Sequence, residues 1–444
     1  MSFLQRQTIR DVLSGDGLKA RLIRGGIGSA GIQGVSRVLA LALGIVLART
    51  LGPDGYGVYA YAFAVMSLLM VAAEAGVPTL LMREVAASQG LEEWGLLRGA
   101  LRRAGQFVTL ASGSVTMIAL LILWGIGDRL SSAMFCTMAL MLLVLPLSAG
   151  TKTVARALMG LHRVVLGQAV DMLLRPLLVL ALVGGAFLLW PELRQPQYAM
   201  AAQLLGAAVV LIAGLVILRR LTPREARTAP PAYRNREWLR SALPFTLIGG
   251  ALVLNSQTDI IMLGWFAQLK DVGIYRVAAQ GSTLVAFSLA VASGVVAPQF
   301  SQLYVKGDIA RLQYLVIKSS SVILFVATPM ALVLLLGGSM LITWVFGSEY
   351  APAYMPLAIL VIGQLVLSVF GISGPLLSMA GYESTISKAI WVSALTNAIL
   401  NLFFVPAFGA VGAAISTMLT TVGWSIYLFW LARDRLGINA FPFQ

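Results

Sequence analysis

Apolar runs of about 20 residues, the length that crosses a bilayer core, recur from one end of this chain to the other. That recurrence constrains the fold more than any other feature. Six runs precede a basic, proline-containing stretch: Gly25 to Leu47, Gly57 to Leu80, Ala104 to Ile126, Ser132 to Gly150, Val164 to Trp190 and Tyr198 to Leu218. Six follow it: Ala242 to Phe266, Gly273 to Phe300, Lys318 to Leu336, Tyr354 to Met379, Ser384 to Val405 and Val411 to Ala432. Hydrocarbon offers backbone N–H and C=O groups no water, so such runs cross as helices. The composition agrees: 59% of the 444 residues are hydrophobic and 11% are charged, against about 25% charged in a soluble domain. The expectation is an all-α integral membrane protein with twelve transmembrane helices.

The basic residues orient it. With the N-terminus inside, 25 of the 32 lysines and arginines fall at or near the inner ends of the spans, and only Arg49, Arg129, Arg194 and Lys270 fall outside. This is the positive-inside asymmetry, and it places both termini in the cytoplasm. It also accounts for the net charge of +14 without a nucleic-acid partner. The expected organisation is a basic cytoplasmic leader over 1–24 with no cleavable signal peptide, a six-helix bundle over 25–218, and a cytoplasmic linker over 219–240. A second six-helix bundle over 241–432 and a cytoplasmic tail over 433–444 complete it. The leader has the character of an amphipathic helix on the membrane surface, and Trp94, Trp238 and Trp344 have the positions of interfacial anchors.

Several chemistries are excluded. One cysteine, Cys136, and one histidine, His162, make neither a disulfide framework nor a common zinc site. Gly26-Ile27-Gly28-Ser29-Ala30-Gly31 matches G-x-G-x-x-G, but it lacks the strand and βαβ unit that a dinucleotide site requires. Small residues at that spacing instead permit close helix packing. No Gly-Lys-Ser/Thr phosphate loop, nucleophile elbow or Asp-x-Asp motif occurs. The short external segments, of which 337–353 is the longest, argue against a membrane glycosyltransferase or polymerase. The chain reads as a transporter, not an enzyme.

The two halves repeat. Gly57-Val58-Tyr59-Ala60 corresponds to Gly273-Ile274-Tyr275-Arg276, and Met159-Gly160-Leu161-His162 to Ala380-Gly381-Tyr382-Glu383. Six spans per half make the repeats parallel, so the bundles are pseudo-symmetric about an axis along the membrane normal. Transporters of this kind rock two bundles about a central site near the midplane.

Three segments carry a family resemblance: Ala48 to Tyr59, with Leu51-Gly52-Pro53; Asp259 to Gly264 followed by Val272 to Tyr275; and Asn397 to Asn401 followed by Val405 to Ala414. They resemble the polysaccharide transporters, the Wzx-type lipid-linked oligosaccharide flippases of the multidrug/oligosaccharidyl-lipid/polysaccharide superfamily. The resemblance implies movement of an undecaprenyl-pyrophosphate-linked oligosaccharide across a bacterial inner membrane, for O-antigen or exopolysaccharide synthesis. Membrane lipids, a polysaccharide polymerase and a chain-length regulator are the partners it suggests. Two relatives stay open as alternatives: the ion-coupled multidrug antiporters and the lipid II flippases, which usually carry two further helices.

The ionisable residues inside the spans taken as candidates are Arg37, Glu74, Asp171, Arg175, Asp259 and Arg276. Each costs roughly 2.5–3.5 kcal/mol at a helix centre, so each should face protein or water. By the resemblance, Arg37, Glu74, Asp259 and Arg276 line a cavity between the bundles. Arginine offers a pyrophosphate bidentate, permanently charged donors. Gln33 lies one turn before Arg37, Gln280 one turn after Arg276, and Asn255 one turn before Asp259. These amides, with Tyr59 and Tyr275, are the candidates for holding sugar. Asp171 and Arg175, at i and i+4, form either a structural ion pair or part of the cavity. Asn397 and Asn401 are expected to hydrogen-bond between helices. No resident cofactor is expected; Glu74 or Asp259 could couple transport to H+ or Na+, and the membrane potential could act alone.

Overall fold

A computed structural model describes residues 18–441, so the expected leader up to Gly17 lies outside the described residues. All elements of the described chain are helical. They are α1 (Leu18–Glu74), α2 (Val77–Gly90), α3 (Trp94–Gly125), α4 (Ser132–Gly160), α5 (Val164–Leu189), α6 (Pro196–Leu221), α7 (Arg224–Thr228), α8 (Asn235–Phe266), α9 (Leu269–Val305), α10 (Ile309–Phe346), α11 (Tyr354–Phe370), α12 (Ser373–Met379) and α13 (Glu383–Leu436). Among the described residues, ten helical stretches are long and apolar enough to cross a membrane. Large side chains on them stay exposed, including Leu110, Phe325, Leu336 and Phe403 at 71–86%. Those are surfaces that a hydrocarbon solvent covers and water would penalise.

Two of the ten, Gly31–Glu74 and Glu383–Leu436, are 44 and 54 residues long. At 1.5 Å per residue the shorter is about 66 Å, twice a bilayer core. Each is broken once. In α1 the break is Gly52 (φ 68°, ψ 175°), and Pro53 follows it at the start of the next helical segment, where its missing N–H and fixed φ cost nothing. In α13 it is Gly409 (φ 55°, ψ −129°). Positive φ at both points selects glycine. A Cβ on Gly412 would meet the Phe404 carbonyl, so this corner needs a second glycine for room. The loops expected between the first two spans and between the last two are therefore single-residue kinks. Asn397 and Thr417, on either side of Gly409, are hydrogen-bonded at 3.3 Å, so the second half of α13 folds back along the first.

Other expected boundaries move. The second span stops at Glu74, because Ala75 (φ 41°) and Gly76 (φ 70°) both take left-handed backbone. The fourth runs on to Gly160. The fifth contains a π-helical turn, Ala169–Leu173. The tenth is interrupted between Phe370 and Ser373. The expected external loop over 337–353 is mostly the end of α10 and a 3-10 turn, Ser348–Ala353.

The chain packs as two compact units: the described residues up to Val46 with Leu69–Gly249, and Leu47–Leu68 with the chain from Gly250 on. In the first, the stretch after α6 is docked rather than loose. Ala232 N–H donates to the Gly95 carbonyl at 2.9 Å, and Arg98 Nη1 to the Ala229 carbonyl at 2.7 Å. A Cβ on Gly99 would collide with the Ala232 carbonyl. Trp94 and Trp238 pack on the cluster formed by Leu81, Val85, Leu97, Ala100 and Leu161, and Trp238 Nε1 donates to Glu84 Oε2 at 3.1 Å. Both are part-buried, whereas Trp344 is 74% exposed.

In the second unit the repeated motifs meet. A Cβ on Gly57 would strike the Leu269 carbonyl, and one on Gly273 would strike the Pro53 carbonyl, and each would also lie 3.2 Å from the other glycine's backbone nitrogen. The shared glycine is thus the contact at which the two motifs cross. A second core gathers Phe300, Leu312, Val316, Ile323, Leu376 and Phe429 with Ile438 and Ala440. Gln313 clamps Asn439 by two hydrogen bonds of 2.5 and 2.8 Å, so the segment after α13 is tied to the unit.

Candidate functional site

The second unit buries one carboxylate with a full set of neutral partners. Asp259 on α8 is 5% exposed. Tyr275 on α9 and Thr417 on the second half of α13 donate their hydroxyls to Oδ2, both at 2.5 Å. Asn401 on the first half of α13 donates Nδ2 to Oδ1 at 2.7 Å. Asn401 also donates to Asn397 Oδ1 at 3.0 Å, and Asn397 donates to Thr417 Oγ1 at 3.3 Å. The Gly409 kink brings residues of both halves of α13 to one carboxylate. On α9, a capping box between Gln268 and Asp271 starts the helix ahead of Tyr275. Gly264 gives α8 its close approach to the Tyr61 ring, which a Cβ would overlap.

This cluster presents only hard oxygen donors besides the two amide nitrogens. Asn401 Oδ1 is buried with no hydrogen-bond partner, which leaves a lone pair beside the carboxylate. Oxygen sets of this kind suit alkali or alkaline-earth cations, not soft transition metals. Among the described residues, no three His, Cys, Asp or Glu side chains gather as a metal group.

Arg276 is half-buried on α9 and hydrogen-bonds the buried Tyr56 hydroxyl. Tyr56 in turn stacks on Tyr59, with ring centroids 6.5 Å apart and planes at 11°. Arg276 and Tyr59 therefore belong to one cation–aromatic group, whereas Tyr275 belongs to the carboxylate's shell through its hydroxyl. Gln280 is half-buried further along α9. Asn255, one turn before Asp259 and a candidate for holding sugar, is exposed; the amide that reaches Asp259 comes from α13.

In the first unit Arg37 and Gln33 are exposed on α1. Glu74, at the end of α1 and 8% exposed, pairs with Lys152 of α4 at 2.7 Å. Arg175 on α5 donates Nε to Gln203 of α6 at 3.0 Å and Nη1 to Ser148 of α4 at 2.8 Å, tying three helices. Asp171 sits in the π-helical turn, whose extra residue shifts the i,i+4 register on which the Asp171/Arg175 pairing was read.

Sequence reasoning assigned Lys152 to a loop, because the apolar run ends at Gly150 while the helix does not. It gave no role to Thr417, Gln203, Ser148 or Tyr56, whose signal is positional and visible only once helices are paired.

The model for the family described as polysaccharide biosynthesis protein matches residues 22–304. The chain is similar to a probable low-salt glycan biosynthesis flippase, Agl15, of Haloferax volcanii. They are 28% identical over 242 residues, which is 54% of this chain and 49% of that protein. The chain spans about half the length of the curated relatives it matches. Among solved structures it is similar to an inward-facing multidrug resistance MATE transporter of the MOP superfamily, with TM-score 0.71, 14% identity, and 93% of this chain and 98% of that one covered. It is also similar to the lipid II flippase MurJ in an inward closed conformation, with TM-score 0.70, 14% identity, and 92% and 87% covered. At such identity the likeness is one of fold.

Proposed function

The chain belongs to the polysaccharide biosynthesis protein family, and we propose that it flips an undecaprenyl-pyrophosphate-linked oligosaccharide from the inner to the outer leaflet of a bacterial cytoplasmic membrane. The family match over 22–304 carries this reading. Counting each broken helix as two crossings gives twelve, with both termini in the cytoplasm. The two helical units alternate access, and the delivered glycan passes to a polymerase and chain-length regulator of a surface-polysaccharide pathway.

In this reading Arg37 and Arg276 attract the pyrophosphate, since permanently charged, bidentate donors suit it, and the Tyr56/Tyr59 pair beside Arg276 offers sugar rings an aromatic face. Gln33, Gln280 and Asn255 supply amides to sugar hydroxyls. Coupling falls to Asp259, where a Na+ ion or a proton would be held among Asn397, Asn401, Thr417 and Tyr275. The unpaired Asn401 oxygen supports a cation there.

The test is headgroup translocation of a fluorescent undecaprenyl-pyrophosphate oligosaccharide in proteoliposomes, with Arg37→Ala and Arg276→Ala beside the wild type. Transport by the wild type that is lost in both folded variants supports the reading. A wild type that ignores the lipid across several glycans, yet exchanges cationic dyes for Na+ or H+, replaces it with the antiporter reading.

A further inference from the structure

The first unit concentrates five ionisable side chains at one end of its helices. Glu74 is the last residue of α1. Lys152 and Arg156 lie in the last turns of α4, Asp171 in the π-helical turn of α5, and Arg175 just beyond that turn. They act on one another: Lys152 and Arg156 lie within electrostatic reach of both carboxylates, and Arg175 within reach of Asp171. The backbone is built for this approach. Gly167 lets the start of α5 touch α4, since a Cβ there would meet the Ala155 carbonyl and Met159, and the π-helical turn that follows carries Asp171. Val154, Ala155, Leu158, Val170 and Val210 form a buried apolar cluster beside it.

The cluster does not balance. Among the described residues, three cations stand against two carboxylates, an excess of one positive charge among apolar helices, where charge is costly. Arg156 Nε is buried with no hydrogen-bond partner, and so is Glu74 Oε1. An unused charged donor calls for an oxyanion, and an unused carboxylate oxygen beside it calls for a hydroxyl. Access remains, because the Lys152 side chain keeps 38% of its surface exposed against 10% for Glu74. The end of the helices that bears these charges is the end the basic-residue asymmetry assigns to the cytoplasmic leaflet, where lipid headgroups lie.

We propose that Lys152, Arg156 and Arg175 form an anion site within the first unit that takes the phosphate-ester oxyanion of a membrane lipid, with Glu74 Oε1 accepting a hydroxyl from the same headgroup. Arg156 makes the decisive contact. Asp171 opposes the anion and tempers its affinity, so that a bound headgroup can leave. The inference rests on the membrane setting and not on the flippase reading, because binding is measured without transport.

Two sources offer this chemistry: the pyrophosphate of a polyprenyl carrier, and a resident phosphatidylglycerol. The experiment titrates the full-length protein in detergent with undecaprenyl pyrophosphate, dioleoylphosphatidylglycerol or diacylglycerol, and reads bound lipid by native mass spectrometry. Arg156→Gln should weaken binding of a phosphate lipid roughly tenfold, as loss of one charge-assisted hydrogen bond does. Arg156→Lys should restore most of it, and Asp171→Asn should tighten it several-fold. A purely structural ion cluster gives no such opposite signs. A loss confined to undecaprenyl pyrophosphate assigns the site to carrier lipid, and an equal loss for phosphatidylglycerol assigns it to headgroups in general. If Arg156→Gln and Asp171→Asn leave both phosphate lipids within twofold of wild type, or if diacylglycerol responds as they do, the proposal is wrong.

Discussion

Replacing Asp259 by alanine removes the shared acceptor of two buried donors, Tyr275 Oη and Asn401 Nδ2, and of the half-buried Thr417 Oγ1. Hydrogen bonds between helices in lipid average about 0.6 kcal/mol and reach about 1.7 kcal/mol, and a stranded buried donor costs about 1–3 kcal/mol. Three donors converge here from two helices, so Asp259→Ala should destabilise the second unit by roughly 2–5 kcal/mol. Asparagine keeps one acceptor oxygen, and its amide can donate to the two hydroxyls. Asp259→Asn should therefore cost only about 1–2 kcal/mol, while abolishing any cation-dependent transport. The assay is SDS-driven unfolding of the protein in mild detergent micelles, with Tyr275→Phe and Asn401→Ala as single-donor controls. An alanine variant that unfolds at the wild-type midpoint would refute the reasoning, because the cluster would then contribute nothing to holding α8, α9 and α13 together.

Gly57→Ala and Gly273→Ala each place a methyl against rigid backbone, and overpacking of this kind costs about 1–3 kcal/mol. The same unfolding assay should show both losses, and combining the two should be less than additive because they share one contact. Lys152→Gln leaves Glu74 without its ion pair; breaking a buried pair costs about 3–5 kcal/mol, reduced here to roughly 1–3 kcal/mol because Lys152 is 38% exposed. The double variant with Glu74→Gln should recover most of that loss, and a double variant no better than Lys152→Gln would contradict the pairing. Arg276→Ala should slow flipping more than Arg276→Lys in proteoliposomes, since lysine keeps the charge but not the fork. Equal rates for the two would argue against bidentate recognition.

Hydropathy and charge placement made much of this protein legible from its residues. An apolar run of bilayer length has no soluble alternative, so the helical membrane fold and the positions of most helices could be read directly. The breaks at Gly52 and Gly409 fall within the segments expected as loops, at residues whose left-handed backbone favours glycine. Individual ionisable residues inside apolar runs stood out for the same reason: each is costly in lipid.

The partners of those residues were not legible. Helix length past Gly150 was hidden because amphipathic ends stop looking apolar before they stop being helical, and Lys152 was misplaced with them. The shell around Asp259 depends on the Gly409 kink, which returns Thr417 to Asn397 and sets both against α8. A one-dimensional pattern gives the face of a helix but not its neighbour. The π-helical turn at Ala169–Leu173 reorients Asp171 against a register that sequence spacing would have fixed. The sequence determined which groups must leave lipid, through the cost of burying charge. The tertiary structure decided where they went, because only close backbone approaches, at Gly57 with Gly273 and at Gly167 with α4, choose which helices become neighbours.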